Sequence, residues 1–398
     1  MLSEDPVPNL RHILGVVAVA DQGTLSAAAR EINLSQPALT QGVARIEEDL
    51  GTSLFRRGGG GMIPTEAGQL FILRARRGVE FLRRGGQVVG RPHLYRMLSV
   101  GQLRSLVAAV EHGGFRPAAM RLGREASTIS RACREIEHQA GVELFENTSS
   151  GLQPTKQANE FMRFAKLAMG EFRQAVHDVR GWQGAPEGRL AIGCLPMAQT
   201  HIVPEALNRF SHDYPRIEPR VVDGYYDSLT RGLRRGDLDI LLGALRTRDL
   251  PEGLVQEALF SDPLVVVARP GHPLDGVAGV DGGALARHPW VAPRAGAPSR
   301  RYFDKVLSGL SIPADVPAPV ETGSHTVMRG LLFGSDRMAM LSRLQVSRDI
   351  GLGLLVQIDH PLPDSARPIG ITHREDWLPG MPQARFLEIL REVTAAAR

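Results

Sequence analysis

Ser35, Gln36, Pro37, Ala38, Thr40 and Gln41 stand together at the head of an apolar-patterned stretch, with Arg45 a turn later and Arg56–Arg57 beyond it. These residue types suit the reading of duplex DNA. Glutamine can give adenine two hydrogen bonds, hydroxyls bond bases or phosphates, and an alanine methyl can meet that of thymine. Arginines neutralise phosphates. A second set lies far downstream: Met197, Ala198 and Gln199, then Arg246, Arg294, Thr322, Ser324 and His325. They fall at helix starts or on loops after strands, where backbone N–H groups and cations can hold a small anion. The plainer alternative for each lone Arg or His is a surface residue.

Catalytic patterns are missing. There is no Gly-x-Ser-x-Gly, no His-Glu-x-x-His and no P-loop, because Met62 rather than Lys-Ser/Thr follows Gly58–Gly61. The expectation is therefore a non-enzyme with no cofactor and no metal. Cys133 and Cys194 are the two cysteines. A structural disulfide is not expected, which fits a reducing cytoplasm. Cys194 reads either as a redox sensor or as a small buried apolar residue on a strand. No apolar run reaches a membrane span, and Met1–Asn9 has no export-signal pattern. Residues 1–96 hold 12 Arg/Lys against 9 Asp/Glu, residues 97–183 hold 11 against 9, and the remainder 24 against 25. The positive excess lies in the first half, as a polyanion partner would favour.

The elements that must carry the first set follow from periodicity. Leu10, Ile13, Leu14, Val16, Val17 and Ala20 are helically spaced. Thr24 reads as the cap of a helix over Leu25–Ile32, and Ser35 as the cap of another to about Leu50, with Gly51 closing it. Leu54–Phe55, the two arginines, the glycines and Met62–Ile63 make a hairpin wing. Thr65 caps a long helix from Glu66 to about Gly85. Helix, turn, helix, wing and long helix form a winged helix-turn-helix, whose second helix enters the major groove N-terminus first. A plain helical bundle is the alternative.

The pattern then repeats, shifted by 90 without a gap: Gly23 with Gly113, Ile46–Glu47 with Ile136–Glu137, Leu54–Phe55 with Leu144–Phe145, Pro64–Thr65 with Pro154–Thr155. The second copy keeps apolar Leu122, Ile129 and Ile136 but changes the polar surface. Its leading helix offers Ser127, Thr128, Ser130, Arg131 and Arg134. Glu125 replaces Ser35, and Glu146–Asn147 replace Arg56–Arg57. Three readings stay open for it: weaker or different DNA binding, a spacer, or a protein interface. A second long helix, Lys156 to about Trp182, bears a stripe of Phe161, Phe164, Leu167, Ala168, Phe172, Val176 and Val179. That stripe packs within its own module or pairs with another subunit.

The rest reads as alternating strands and helices: strands at Arg189–Cys194, Val221–Val222, Asp239–Leu242, Leu264–Ala268, Trp290–Val291 and Pro368–Thr372, helices at Ala198–Phe210, Tyr226–Arg235, Ser324–Leu332 and Gln383–Val393. Two α/β lobes joined by two crossings make a clamshell with a cleft. The expected fold class is α/β overall: tandem winged helix-turn-helix modules and a linker helix, then a two-lobed, periplasmic-binding-protein-like domain. The expected boundaries are 1–92, 93–183 and 184–398.

The stretch "GTLSAAAREINLSQPALTQGVARIEEDLGTSLFRRGGGGMIPTEAG" resembles the DNA-binding domain of LysR-type transcriptional regulators. "IGCLPMAQTHIVPEALNRF", "LRRGDLDILLGAL", "DPLVVVARPGHPL" and "VETGSHTVMRGLLFGSD" resemble that family's effector-binding domain, most of all the branch sensing sugars or acids from aromatic-ring breakdown. The resemblance implies a transcription factor whose partners are promoter DNA, a small carboxylate or sugar, a homodimer or homotetramer formed through the linker helix, and RNA polymerase as a further candidate. It departs from the family in the second module, since one is usual, and in Met197, where a hydroxyl residue is common. Two competing readings are an enzyme or binding protein built on the clamshell, and an architectural DNA-binding protein without ligand response.

Overall fold

The computed structural model describes residues 7–149, 151–246 and 248–396. Residues 1–6 of the expected first module and 397–398 of the expected last lie outside the described residues.

In the first module α1 (Leu10–Gln22) buries Leu10, Ile13, Val16 and Val19. α2 (Leu25–Glu31) starts where the Thr24 side chain accepts from Ala27 N, and α3 (Gln36–Leu50) where Ser35 Oγ accepts from Ala38 N at 3.3 Å. β1 (Phe55–Gly58) and β2 (Gly61–Pro64) pair antiparallel as the wing. α4 (Glu66–Val88), capped by Thr65, runs past its expected end near Gly85. The second module repeats this order in α5 (Val100–Glu111), α6 (Phe115–Leu122), α7 (Ala126–Ala140), β3 (Phe145–Thr148), β4 (Gly151–Pro154) and α8 (Lys156–Trp182).

Both copies use one device that the sequence pattern carried without explaining. The Leu54 and Phe55 N–H groups donate to Glu47 Oε1 at 2.7 and 3.2 Å, and those of Leu144 and Phe145 to Glu137 Oε1 at 2.8 and 3.2 Å. A carboxylate on the leading helix thus satisfies the two N–H groups that start the wing, which would otherwise be buried without partners.

The two modules share one hydrophobic core, from Val7 to Val179, and with it one compact unit ending at Gly188. The expected segments 1–92 and 93–183 are therefore not separate bodies. Phe161, Phe164, Leu167, Ala168, Phe172 and Val179 are buried, Val176 partly so, and they face α4 of the same chain. A Cβ on Gly78 would come within 2.3 Å of the Phe172 ring, and one on Gly85 within 2.9 Å of Phe161, so small residues on α4 seat the rings. Of the two readings left open for the stripe, the structure gives cover within the chain, chiefly from α4 of the first module and also from α5 of its own. The second module brings its own long helix, and the two equivalent apolar faces cover each other in cis.

The second unit, from Arg189, has two lobes. β5 (Gly188–Cys194), α9 (Ile202–Asp213), β6 (Ile217–Asp223), α10 (Tyr226–Arg235), β7 (Ile240–Ala244) and β8 (Leu254–Asp262) build the first. The chain crosses into β9 (Leu264–Ala268), α11 (Gly282–Ala286), β10 (Trp290–Pro293), α12 (Pro298–Ser308), β11 (Val320–Thr322), α13 (His325–Phe333), β12 (Met338–Ser342), α14 (Arg343–Gly351) and β13 (Val356–Ile358). It returns through β14 (Arg367–Arg374) and α15 (Met381–Ala396). The sheet orders are β6-β5-β7-β14-β8 and β11-β10-β12-β9-β13. β5 and β7 are parallel as expected, whereas β14, entering from the other lobe, runs antiparallel to β7 and β8. The expected helix from Ala198 begins later, at Ile202, after a 3-10 turn over Pro196–Ala198.

Candidate DNA-reading surface and effector cleft

On α3 the apolar residues Leu39, Val43, Ile46 and Leu50 turn inward, leaving Gln36, Pro37, Ala38, Thr40, Gln41 and Arg45 exposed. Ser35 Oγ is committed to its cap, and Thr40 Oγ1 donates to the Gln36 carbonyl at 2.9 Å. Gln36 and Gln41 are the side chains with amides open for bases. Arg45 pairs with Glu48 at 2.9 Å and Asp49 at 3.3 Å, all more than half exposed. Such pairs are weak and screened, so a phosphate can compete for the guanidinium. Arg56 and Arg57 are exposed on β1, opposite Ile63 and Met62. The wing is fixed to the turn between α1 and α2: Met62 N donates to the Gly23 carbonyl at 2.7 Å, and a Cβ on Gly61 would strike that oxygen at 2.1 Å.

On α7 Ser127, Thr128, Arg131 and Arg134 are exposed and Ser130 is half-buried. With Glu135, His138 and Gln139, four of these five line a shallow depression, Thr128 standing outside it. Glu125 makes no side-chain cap bond, and Gly114 offers none where Thr24 caps α2. A Cβ on Gly151 would meet nothing, so the second wing lacks the first one's anchor.

The cleft of the second unit, about 370 Å³, lies between the lobes. Of the expected residues, Met197, Arg246, Arg294, Thr322, Ser324 and His325 line it. Ala198 and Gln199 do not. Ala198 is fully buried in the first-lobe core, and Gln199 Nε2 donates to the Cys194 carbonyl at 3.4 Å. Their backbone N–H groups close the 3-10 turn on Leu195 and Pro196, which is why they are not free for an anion. Residues that the sequence analysis does not single out also line it, among them Tyr225, Tyr226, Asp227, Asp249, Gln345 and Arg367. The tyrosines begin the helix after β6, as Met197 lies in the turn that leads from β5 to its helix. Arg367 heads the returning strand, and for Gln345 the sequence held no signal.

Two arginines reach across the cleft in opposite directions. Arg246 Nη2, from the first lobe, donates to the Gly296 carbonyl at 3.1 Å, with its guanidinium 4.3 Å above the Tyr226 ring. Arg294 Nη2, from the second, donates to the Gly224 carbonyl at 3.4 Å and stacks 4.0 Å above Tyr225. Among the described residues that line the cleft, three groups are buried without a hydrogen-bond partner: Arg246 Nε, Arg367 Nε and the Tyr226 hydroxyl. Burial pushes Arg367 below the usual arginine range, with Asp262 opposing the shift. Yet the Asp262 oxygens accept from Ser342 Oγ and Leu344 N instead. A guanidinium stays charged in a protein, so Asp262 is its nearby counter-charge although no hydrogen bond joins them. His325 is held below its ordinary value by burial, which Asp349 opposes and Arg329 reinforces. Gln345 Nε2 lies 3.1 Å from its Nδ1, the geometry of a neutral ring accepting there and donating from Nε2. Thr322 Oγ1 accepts from Ser324 N, and Ser324 Oγ caps α13.

Burial drives the thiols of Cys133 and Cys194 up to about 12. Cys194 is therefore the small buried residue of the two readings, since the thiolate is the reactive form. Among the described residues no cluster of His, Cys, Asp or Glu could hold a metal, and no helix is long and apolar enough to cross a membrane.

A family model described as "LysR substrate binding domain" matches residues 183–395, and one described as "Bacterial regulatory helix-turn-helix protein, lysR family" matches 10–69 and again 100–159. The chain is 32% identical to the HTH-type transcriptional regulator GalR of Pseudomonas putida over 97% of its own length and 98% of that protein's, so a chain of this length is not peculiar to it. It is 28% identical to the HTH-type transcriptional regulator PcaQ of Agrobacterium fabrum over 75% of its length and 93% of that protein's. Among solved structures, a full-length OxyR variant from Pseudomonas aeruginosa has a TM-score of 0.54 at 20% identity, covering 75% of this chain and 94% of that one. Full-length CbnR complexed with its target DNA has a TM-score of 0.52 at 18% identity, covering 74% of this chain and all of that one. Both share the fold. On this basis the chain belongs to the LysR family of DNA-binding transcriptional regulators with an effector-binding domain, and it is a regulator rather than an enzyme.

Proposed function

We propose that α3 and the first wing read operator DNA in the cytoplasm and that a small organic anion in the cleft sets this binding. The observation that carries the effector class is the set Arg246, Arg294 and Arg367, which with Arg248 outnumbers the cleft's Asp227 and Asp249, with two Nε groups and the Tyr226 hydroxyl unpartnered. This favours a carboxylate on a flat or apolar body over a neutral sugar: the guanidinia need negative charge, and Tyr225, Tyr226, Met328 and Met340 offer apolar faces. His325, Thr322 and Ser324 sit where they can bond polar groups at the far end of the ligand. An anion draws Arg246 and Arg294 away from the carbonyls they hold across the cleft, which changes how the lobes close on each other.

Calorimetry with aromatic and aliphatic acids beside neutral sugars tests the class. Acids should bind, and Arg246→Gln with Arg294→Gln should abolish the heat; sugar binding that survives both changes overturns the assignment. For DNA, Gln36→Ala should weaken specific binding by about 1–3 kcal/mol, the scale of one good base contact. Normal affinity for an enriched operator would refute α3 as reader.

A further inference from the structure

α4 and α8 run antiparallel. Trp182 Nε1, at the end of α8, donates to Glu66 Oε2 at the start of α4 (3.3 Å), and Gln157 Nε2, at the start of α8, to the Val88 carbonyl (3.4 Å). Because the modules are copies, an antiparallel pair of their equivalent helices has the two-fold character of a dimer. Both ends agree with it. Gln183 Nε2, after α8, donates to the Leu50 carbonyl closing α3, and Arg91, after α4, lies beside Gly141 closing α7.

A symmetric pair would make each contact twice, and this one does not. Arg74, 3% exposed, is held by Glu171 at 3.3 Å and Asp178 at 2.7 Å, and Arg77 by Glu171 at 3.1 Å. The positions equivalent to Arg74, Arg77, Glu171 and Asp178 are Phe164, Leu167, Phe81 and Val88, all apolar. At that mirror site Phe81 and Phe164 share the Arg84 guanidinium, 5.8 and 4.9 Å from their ring centres. Pairing two α8 helices would set Glu171 and Asp178 against Phe164 and Leu167. Pairing two α4 helices would set Arg74 and Arg77 against Phe81 and Val88. Either buries charge without a counter-charge, which is strongly unfavourable. Only α4 with α8 satisfies both halves.

We infer that a single chain is a complete two-armed DNA reader: α4 and α8 hold in cis the arrangement that two subunits would make, and α3 and α7 engage the two unlike arms of an imperfect inverted repeat. An approximate two-fold that carries α3 onto α7 is the symmetry that the dyad of such a site calls for. The arms differ because the surfaces differ. The first meets neutral glutamines and a basic wing; the second meets Arg131 and Arg134, suited to guanine or phosphate, and a wing with Glu146. The inference rests on α3 being an operator reader.

Gly59 and Ser149 are equivalent, exposed wing-tip positions, and the native Cys133 and Cys194 are buried. The test couples a DNA-cleaving iron chelate to Gly59→Cys or Ser149→Cys in the full chain. The target is a duplex enriched from a randomised library by the wild-type chain. Each reagent should cut one arm, and the two should cut opposite arms. Gly59→Cys cutting both arms while Ser149→Cys cuts neither means that two chains each present the first module, and overturns the inference. Gly59→Cys cutting one arm while Ser149→Cys cuts none also overturns it, but leaves α3 as reader. If neither cuts while the gel shift persists, α3 itself is misassigned. Arg131→Ala with Arg134→Ala should cost about tenfold in affinity and remove protection of the second arm alone; unchanged protection there overturns the second arm's assignment.

Discussion

In the first winged module the head of the leading helix, Gln36–Gln41, is uncharged and the positive charge lies on the wing, Arg56 and Arg57, and at Arg45; in the second the helix carries Arg131 and Arg134 and the wing Glu146 and Asn147. Beneath these surfaces the skeletons coincide. Glu47 and Glu137 receive the same two backbone N–H groups, and Thr65 and Thr155 cap the same helix. The shared positions answer needs internal to the fold: buried N–H groups without water, and apolar faces to cover. The divergent ones face solvent, where the fold asks for nothing in particular. Module two has also lost both side-chain caps of its helix-turn-helix and the anchor of its wing, so its reading helix is held less firmly than that of module one.

The comparison breaks most severely where the modules meet. Arg74→Met would leave Asp178 without its ion partner and the buried Glu171 with Arg77 alone, at a cost of up to about 3–5 kcal/mol. Phe164→Met, at the mirror position, should cost far less, because Arg84 still has Phe81. Chemical denaturation of the full chain checks this. Equal losses would mean the ion cluster adds nothing to the pairing.

Glu47→Ala and Glu137→Ala come next. Each should destabilise by about 1–3 kcal/mol through two unsatisfied N–H groups. Their effects on DNA should differ: the first displaces Arg56 and Arg57, the second an acidic wing. Operator affinity should fall clearly with Glu47→Ala and little with Glu137→Ala. Matching losses of affinity would show that the second wing bears on DNA as heavily as the first.

The modules were legible in the sequence almost to the residue, because caps, helix closures and the repeat are local signals. What the long helices pair with was not. Amphipathic periodicity says that a face is covered, not by what, and the partner of Arg74 lies on a helix a module away. In the effector unit the strands ending at Cys194 and starting at Trp290 were readable from apolar runs. β8 (Leu254–Asp262), β11 (Val320–Thr322), β12 (Met338–Ser342) and β13 (Val356–Ile358) were not, β11 and β13 because three residues are too few to show a period. In the cleft, Arg246, Arg294 and His325 were legible from their placement after strands or at a helix start. Ala198 and Gln199 misled because a 3-10 turn, which sequence does not distinguish from a helix start, consumed their N–H groups. Arg367 and Gln345 escaped because only tertiary folding carries them to the cleft.

A graft sharpens the wing comparison. Glu146→Arg with Asn147→Arg gives the second wing the charge of the first. If that wing lies near phosphate, affinity should rise and the salt dependence steepen by up to about two units, roughly 0.9 per phosphate neutralised. Titration at several salt concentrations reads it directly. An unchanged slope would place the second wing away from the backbone.

The smallest effect is expected at Cys133, which occupies on α7 the place of Val43 on α3; both are buried. Cys133→Val should change stability by under about 1.5 kcal/mol, since the volume is nearly kept. The thiol should resist alkylation in the native chain, because burial, reinforced by Glu137, pushes it up to about 12 from 9.0. The sign follows from linkage. Between pH 9 and about 12 the unfolded thiol has lost its proton while the folded one keeps it, so the wild-type chain loses stability as pH rises through that window. The valine variant lacks this term, and its stability relative to wild type should therefore improve above pH 9. Denaturation at pH 8 and pH 10 separates the two chains. Fast labelling at pH 8, or parallel curves at both pH values, would mean that α7 opens from its module and that the second copy is loose in its core as well as at its surface.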